Sequence, residues 1–147
     1  MKIYIGADHN GYELKEQVEA YLKSLGHEVI DKGDERLDPQ DDYPIYSGRV
    51  ASEVLANPGS RGVLICASGQ GVCIGANRFK GIRACLVWNE DEAFAARHDD
   101  DSNVMCLSAN EMQDNRQTER VIDVWLETDF GAAARYVRRN KELDELN

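Results

Sequence analysis

Proline, cysteine and positive charge are all scarce in this chain. Three prolines in 147 residues exclude a proline-rich linker or recognition tract. The four cysteines, Cys66, Cys73, Cys85 and Cys106, form no CxxC pair and no Cys/His ligand spacing. That argues against a zinc site, a dithiol redox centre and a disulfide scaffold. No metal and no cofactor is expected. No apolar run approaches membrane length, and Met1 to Gly6 already reads as a strand with no signal core before it. Unpaired thiols in such a chain suit a reducing cytoplasm. Seventeen Lys and Arg against 27 Asp and Glu leave a net charge of −10, which disfavours nucleic-acid and anionic-membrane partners. The few cations are unevenly placed: Arg135, Arg138, Arg139 and Lys141 crowd the C-terminal segment. Arg135 and Arg139 are four apart, so on a helix they share a face, and two guanidinium forks side by side suit a phosphate. The same pattern also describes a solvated basic helix face.

What is present is regular. Apolar content is 42%, ordinary for a globular protein. Residues 1–147 show no repeat, low-complexity tract or linker, so one domain is expected. Lys2 to Gly6 reads as a strand. Leu14, Val18, Leu22 and Leu25 follow at helical spacing, and Gly26 stops that helix. His27 to Ile30 is the second strand, and the aspartate-rich stretch from Asp31 to Pro44 is the longest loop. It either shapes a pocket or is merely solvated. Ala51, Val54 and Leu55 mark a helix ended by Asn57-Pro58-Gly59. Val63 to Cys66, Ile82 to Trp88 and Asn103 to Leu107 are the remaining strands. Helices are expected over Ile74 to Phe79 and Asp91 to Arg97, around Val121, Ile122, Trp125 and Leu126, and from Ala132 to Leu146. Short apolar strands alternating with helices predict an α/β fold, its parallel sheet covered on both faces.

Ligands in such sheets sit beyond the carboxyl ends of the strands. Asp8-His9, Cys66 to Gly71 and Trp88-Asn89 fall at such ends and are expected to share one crevice. The segment Ile65-Cys66-Ala67-Ser68-Gly69-Gln70-Gly71-Val72-Cys73-Ile74-Gly75 is the most informative. A strand runs into a thiol, a hydroxyl and bare backbone, then a helix: an anion cradle at a helix start. Gly69-x-Gly71 follows the third strand and has neither the dinucleotide fingerprint nor the Gly-Lys-Ser/Thr of a P-loop. A thiolate at the mouth of that cradle would be a base beside an oxyanion hole, which suits proton transfer next to a carbonyl. Bland readings stand beside these: Cys66 as a core thiol, Ser68 as a helix cap, His9 as a structural histidine and Asp8 as a cap of the first helix. Asp99, Asp100 and Asp101 do not converge on one point, so a solvated helix end is favoured over a metal site there.

The chain resembles the RpiB/LacA/LacB family of sugar-phosphate isomerases over essentially its whole length, and its ribose-5-phosphate branch most of all. The carriers are Gly6-Ala7-Asp8-His9 with Gly11, Val29-Ile30-Asp31-Lys32-Gly33, Asp42-Tyr43-Pro44 and the stretch Gly62 to Ala84. Asp101-Ser102-Asn103-Val104 and Arg135-Tyr136-Val137-Arg138-Arg139 complete the match. The resemblance implies a three-layer Rossmann-like fold with a five-stranded parallel sheet and a C-terminal helix. It implies metal-free interconversion of ribose 5-phosphate and ribulose 5-phosphate through an enediolate. It also implies a homodimer with the site at the subunit interface; whether dimers pair into tetramers is left open. By position, Cys66 resembles the base and Ser68 the group that assists proton transfer to oxygen. The backbone from Gly69 through Gln70, Gly71 and Val72 to Cys73 resembles the enediolate hole. Asp8 and Tyr43 resemble sugar contacts; His9, Arg135 and Arg139 resemble phosphate ligands. The family's ring-opening His falls on Asp99 and its following Asn on Asp100, with His98 one residue early. Ring opening therefore falls to Asp99, to His98 or to solution. Asn110 stands where the family has a phosphate-binding Arg, and Tyr136 where it has a His. Two alternatives stay open: a six-carbon sugar phosphate as substrate, and a sugar-phosphate binder without catalysis.

Overall fold

Short apolar runs bounded by glycine, asparagine or aspartate form five strands in the computed structural model, which describes residues 1–146. They are β1 (Lys2–Ala7), β2 (Glu28–Asp31), β3 (Arg61–Cys66), β4 (Ala84–Leu86) and β5 (Val104–Ser108). Between and after them lie α1 (Tyr12–Ser24), α2 (Tyr43–Ala56), α3 (Gln70–Ala76), α4 (Glu90–His98), α5 (Asn115–Glu127) and α6 (Ala134–Glu145). The strands pair in the order β2-β1-β3-β5-β4, every pair parallel. This is the α/β architecture expected of the sequence.

Strand side chains alternate between faces, and the two sets build two cores. Ile3, Ile5, Val63, Ile65, Met105 and Leu107 pack with apolar residues of α1, α4 and α5. Tyr4, Leu64, Cys66, Val104 and Cys106 pack with α2 and α3 on the other face. Trp125 of α5 is fully buried and donates its indole N–H to Ser102 Oγ at 2.8 Å. Burying a ring of that size stabilises by roughly 2–3 kcal/mol. Lys15 of α1 is 1% exposed and pairs with Asp31 at the end of β2 and with Glu16 at 2.9 Å. That buried cation ties α1 to the outer strand.

The elements depart from the sequence expectation in three places, each with a physical cause. β4 is shorter than Ile82 to Trp88: ahead of it the Arg83 N–H goes to the Asn103 side chain at 2.9 Å, and on its open edge the Asn77 side chain takes both polar groups of Ala84, at 2.9 and 2.8 Å, in place of a second strand partner. α2 begins at Tyr43, inside the expected loop, because Pro44 suits a first turn whose N–H groups have no partner. α3 begins at Gln70, not Ile74. Gly69 adopts φ +73° and turns the chain directly from strand to helix. A Cβ there would press into Leu86 and lie 3.0 Å from the Leu107 carbonyl, so only glycine fits.

In a parallel sheet, strand-to-helix loops share one edge and helix-to-strand loops the other. β1 and β3 are neighbours, yet α1 and α3 leave to opposite faces. The gap between their first turns is the switch point, where ligands bind in such sheets. No described helix is long and apolar enough to cross a membrane.

Candidate active site

Two loops form the floor of the switch-point crevice. In the first, Asp8 is buried and its Oδ1 accepts the N–H groups of Asn10 and Gly11, each at 3.1 Å. The loop is thereby held tight enough for Gly11 to lie against the Ile65 carbonyl of β3, 2.6 Å from where a Cβ would stand. In the second, Cys66 ends β3. Its residue is 5% exposed and belongs to the core against α2 and α3. Strand alternation sets Cys66 on the same face as Leu64, so the thiol stands at the floor of the crevice and is less open than one at its mouth.

The cradle above Cys66 is narrower than the sequence implied. The exposed Ser68 hydroxyl accepts the Gln70 N–H at 3.3 Å, a cap-like contact. The early start of α3 commits the Cys73 N–H to the Gly69 carbonyl at 3.2 Å. Cys73 is therefore corrected as an oxyanion donor: its amide is already paired. The Gly71 and Val72 N–H groups have no partner among the described residues and carry the anion-binding character of this helix start. The Tyr43 ring, 39% exposed at the start of α2, closes the side. It sits 2.7 Å from the position of a Cβ on Gly71. The Cys73 thiol is held below its ordinary pKa by a hydrogen bond with Cys106, so its sulfur serves the core beneath the cradle.

His9 is fixed at the crevice rim by a residue that the sequence did not single out. Asp41, in the aspartate-rich loop, accepts both the His9 backbone N–H (3.0 Å) and the Nδ1–H (2.7 Å) on one oxygen. Nε2 faces the Asn10 side-chain amide at 3.0 Å. The bond to Asp41 raises the His9 pKa against some desolvation, with Asp8 and Asp38 adding to the rise. Burial pulls the Asp41 carboxyl upward, but the His9 donors and the Tyr46 hydroxyl outweigh it and leave its pKa lowered. The aspartate-rich loop thus shapes the pocket. Asp8, His9 and Asp41 gather three potential ligand atoms. A cation there would have to strip both His9 donors from Asp41, so the trio is an internal hydrogen-bonded set.

The other candidates lie at the opposite edge. His98 ends α4, and its Nδ1–H donates to Asp99 Oδ1 at 2.7 Å. That bond, then the Tyr136 hydroxyl, lowers the Asp99 pKa. His98 stacks on Phe94 (4.9 Å) and meets the Tyr136 ring edge-on (5.6 Å). The Gly131 N–H donates to the His98 carbonyl at 2.9 Å, bringing the start of α6 beside the end of α4. Arg135 Nη2 donates to the Tyr136 hydroxyl at 3.0 Å. Burial raises the Asp100 pKa, with Asp99 adding and Arg83 and Arg139 opposing. The helix α6 is mostly exposed and is clasped by Arg83, whose Nη1 reaches both Asp144 oxygens at 2.8 Å. Trp88 and Asn89 follow β4, which β5 separates from β3 and the crevice, and Asn89 serves as the cap of α4, accepting the Glu92 N–H at 2.8 Å. One chain therefore carries two separate clusters: Asp8, His9, Tyr43, Cys66, Ser68 and the Gly69 turn at one edge, and His98, Asp99, Asp100, Arg135 and Arg139 at the other.

Comparison with known proteins settles what kind of molecule this is. A profile of ribose/galactose isomerases matches residues 3–143. The chain belongs to that family. It is 44% identical over 128 residues to a probable ribose-5-phosphate isomerase B of Mycoplasma pneumoniae, covering 87% of this chain and 84% of that one. It is 37% identical over 145 residues to ribose-5-phosphate isomerase B of Mycobacterium tuberculosis, covering 99% and 89%. Among solved structures, ribose-5-phosphate isomerase B of Clostridium thermocellum superposes with a TM-score of 0.93 at 35% identity, covering 99% and 96%. The Mycoplasma genitalium enzyme, solved with bound ribulose-5-phosphate, gives 0.91 at 36% identity, covering 97% and 93%. Against this family fold, Asn110 sits at the end of β5 with its N–H on the Ala67 carbonyl at 3.0 Å. Its side chain helps line a cavity of about 200 Å³ together with Asn10, Glu13, Gln17, Gln113 and Asn115. Amides predominate among the polar groups of that lining, with Glu13 the one carboxylate. Asp41 and Phe94 left no signal in spacing, because each acts on a partner brought to it by the fold.

Proposed function

We propose that residues 1–147 act as one domain that interconverts ribose 5-phosphate and ribulose 5-phosphate, with no metal and no cofactor. The observation that carries the reading is the switch-point crevice, where β3 ends at Cys66 and turns at Gly69 into a helix start whose Gly71 and Val72 amides have no partner among the described residues. The likeness to an enzyme solved with ribulose-5-phosphate supports it. Cys66 as thiolate takes the proton from the carbon beside the carbonyl and returns it to the neighbouring carbon. The two amides hold the oxygen on which the enediolate charge develops; removing one such donor typically costs about 10²–10³ in rate. Ser68 passes the hydroxyl proton between the two oxygens. Asp8 and Tyr43 orient the sugar hydroxyls, and His9 binds the phosphate, whose distance from the reacting carbons lets its binding energy serve orientation.

The second cluster completes this one in a homodimer. Arg135 and Arg139 of one copy then meet the phosphate held by the other. Asp99, backed by the His98 ring, serves as the base that opens the sugar ring. The cytoplasm is the compartment proposed, since all four cysteines are free. One observation favours a second substrate reading, a six-carbon sugar phosphate: the amide-lined cavity beside Asn110 offers hydroxyl partners beyond a pentose. The deciding experiment is a panel of five- and six-carbon aldose phosphates in deuterated water, with ketose product and deuterium at C2 both followed. Turnover with exchange on ribose 5-phosphate is expected. Binding without exchange on any substrate refutes the isomerase reading, and a higher kcat/KM on six-carbon substrates refutes the pentose assignment.

A further inference from the structure

Behind His9 lies a chain of polar contacts that the reaction chemistry does not itself require. Asp41 holds the His9 main chain and ring on one oxygen, at 3.0 and 2.7 Å. Its other oxygen meets the Tyr46 hydroxyl at 2.8 Å, and that hydroxyl also reaches Asp34 Oδ2 at 2.5 Å. Tyr46 is fully buried in α2, and the Asp41 side chain is 7% exposed. Arg49 of α2 closes the far end, 3.5 Å from Asp34 and over the Tyr46 ring. The chain runs from the Asp34 and Arg49 side chains, both open to water, through the buried side chains of Tyr46 and Asp41 to the crevice rim. A carboxylate only accepts hydrogen bonds, so both His9 contacts to Asp41 are donations and the ring carries its proton on Nδ1, while the single Tyr46 hydroxyl hydrogen is shared between Asp41 and Asp34. Nε2 is then the nitrogen left to face a ligand, with only the Asn10 amide on it.

We propose that Asp41, anchored by Tyr46, is a positioning residue that fixes the His9 ring with Nε2 toward the substrate phosphate and keeps that ring cationic when the phosphate is bound. Among the crevice residues named above, His9 alone can carry positive charge, so whatever full charge this cluster offers an anion, beyond the Gly71 and Val72 amides, comes from it. The titratable groups facing it are Asp8 on its own loop and Asp38 and Asp41 on the aspartate-rich loop, all of which favour the charged ring. When Nε2 takes a proton, the Asn10 amide turns away and the phosphate oxygen replaces it. Replacing the carboxylate by an amide leaves an acceptor for the backbone N–H but removes the charge that supports the imidazolium.

This rests on the isomerase reading for its substrate, and the test separates the two. The variants are Asp41→Asn, His9→Gln and the double substitution. In the ligand-free protein, NMR titration of the His9 ring is expected to move to lower pH in Asp41→Asn. At pH 7.5, KM for ribose 5-phosphate and the inhibition constant of inorganic phosphate should both rise, about tenfold if one charged hydrogen bond is lost. The change falls on KM rather than kcat, and the rise of KM with pH begins at lower pH than in the wild type. In the His9→Gln background, Asp41→Asn should leave KM and phosphate inhibition unchanged. An unmoved His9 titration, or an equal KM effect with and without His9, overturns the proposal. If the wild type does not turn over ribose 5-phosphate, the isomerase reading fails. The His9 titration and calorimetric binding of inorganic phosphate then still decide the role of Asp41.

Discussion

Replacing Gly71 by alanine sets two opposing effects against each other, and the structure says which should win. Gly71 is the second residue of α3, where alanine gains up to ~1 kcal/mol of helix propensity over glycine. A Cβ at this position would stand 2.7 to 2.9 Å from three atoms of the Tyr43 ring. Real carbon contacts do not come that close, so the ring must swing out. Overpacking of this kind costs typically about 1–3 kcal/mol. The balance is a net loss of about 0–2 kcal/mol for Gly71→Ala alone. In a Tyr43→Ala background the ring is gone and only the propensity gain remains, so the same substitution should stabilise by up to ~1 kcal/mol. The coupling between the two sites is thus expected at about 1–3 kcal/mol, read from urea unfolding of the four proteins at 25 °C. Because Tyr43 lines the crevice, Gly71→Ala should also raise KM several-fold. An identical stability change in both backgrounds would mean that the ring does not rest on the bare backbone of α3, and this account of the cradle wall would be wrong.

Cys66→Ala should abolish turnover and C2 exchange while inorganic phosphate still binds; turnover within tenfold of wild type would exclude the thiol as base. Mixing Cys66→Ala with an Arg135→Ala, Arg139→Ala double variant should restore about a quarter of wild-type activity, since half of randomly reassorted dimers would hold one intact site. Two inactive proteins that stay inactive when unfolded and refolded together would refute a site shared between copies. Lys15→Ala should destabilise by about 1–3 kcal/mol, mostly through the lost packing of its buried methylenes, because the Asp31 carboxylate left behind is open to water, whereas Lys15→Met should cost clearly less; equal losses would show that the methylenes contribute little. His9 has a raised pKa, so its contribution to stability is complete below 6.5 and is lost as pH climbs through the folded value. The difference in urea midpoint between wild type and His9→Gln should therefore shrink between neutral and alkaline pH; a constant difference would contradict the Asp41 pairing.

Local pattern made most of the fold legible. The strands are continuous apolar runs, and α1 stops at Gly26 because only a glycine accepts its φ of +86°. The Cys66 to Gly71 segment was recognisable as a turn because thiol, hydroxyl and glycines fall together after a strand. Boundaries were harder where the deciding partner is remote in sequence. Asn103 takes the Arg83 N–H just ahead of β4, and no window of neighbouring residues contains that contact. Asp41 was hidden for the same reason: one aspartate among several, distinguished only by the histidine 32 positions away that the fold delivers to it.

By itself the sequence determined the sheet, the helices that cover it and the chemical inventory of the site, because these follow from hydrophobic periodicity and from residue types within a few positions of one another. Only the tertiary structure decided how that inventory is divided. Parallel pairing sends the Cys66 turn and the His98–Asp99 pair to opposite edges of one sheet, a consequence of strand direction and crossover that no linear spacing encodes. It also chose which amides stay unpaired: Gly71 and Val72 have no partner among the described residues, while Cys73 closes the first turn of α3.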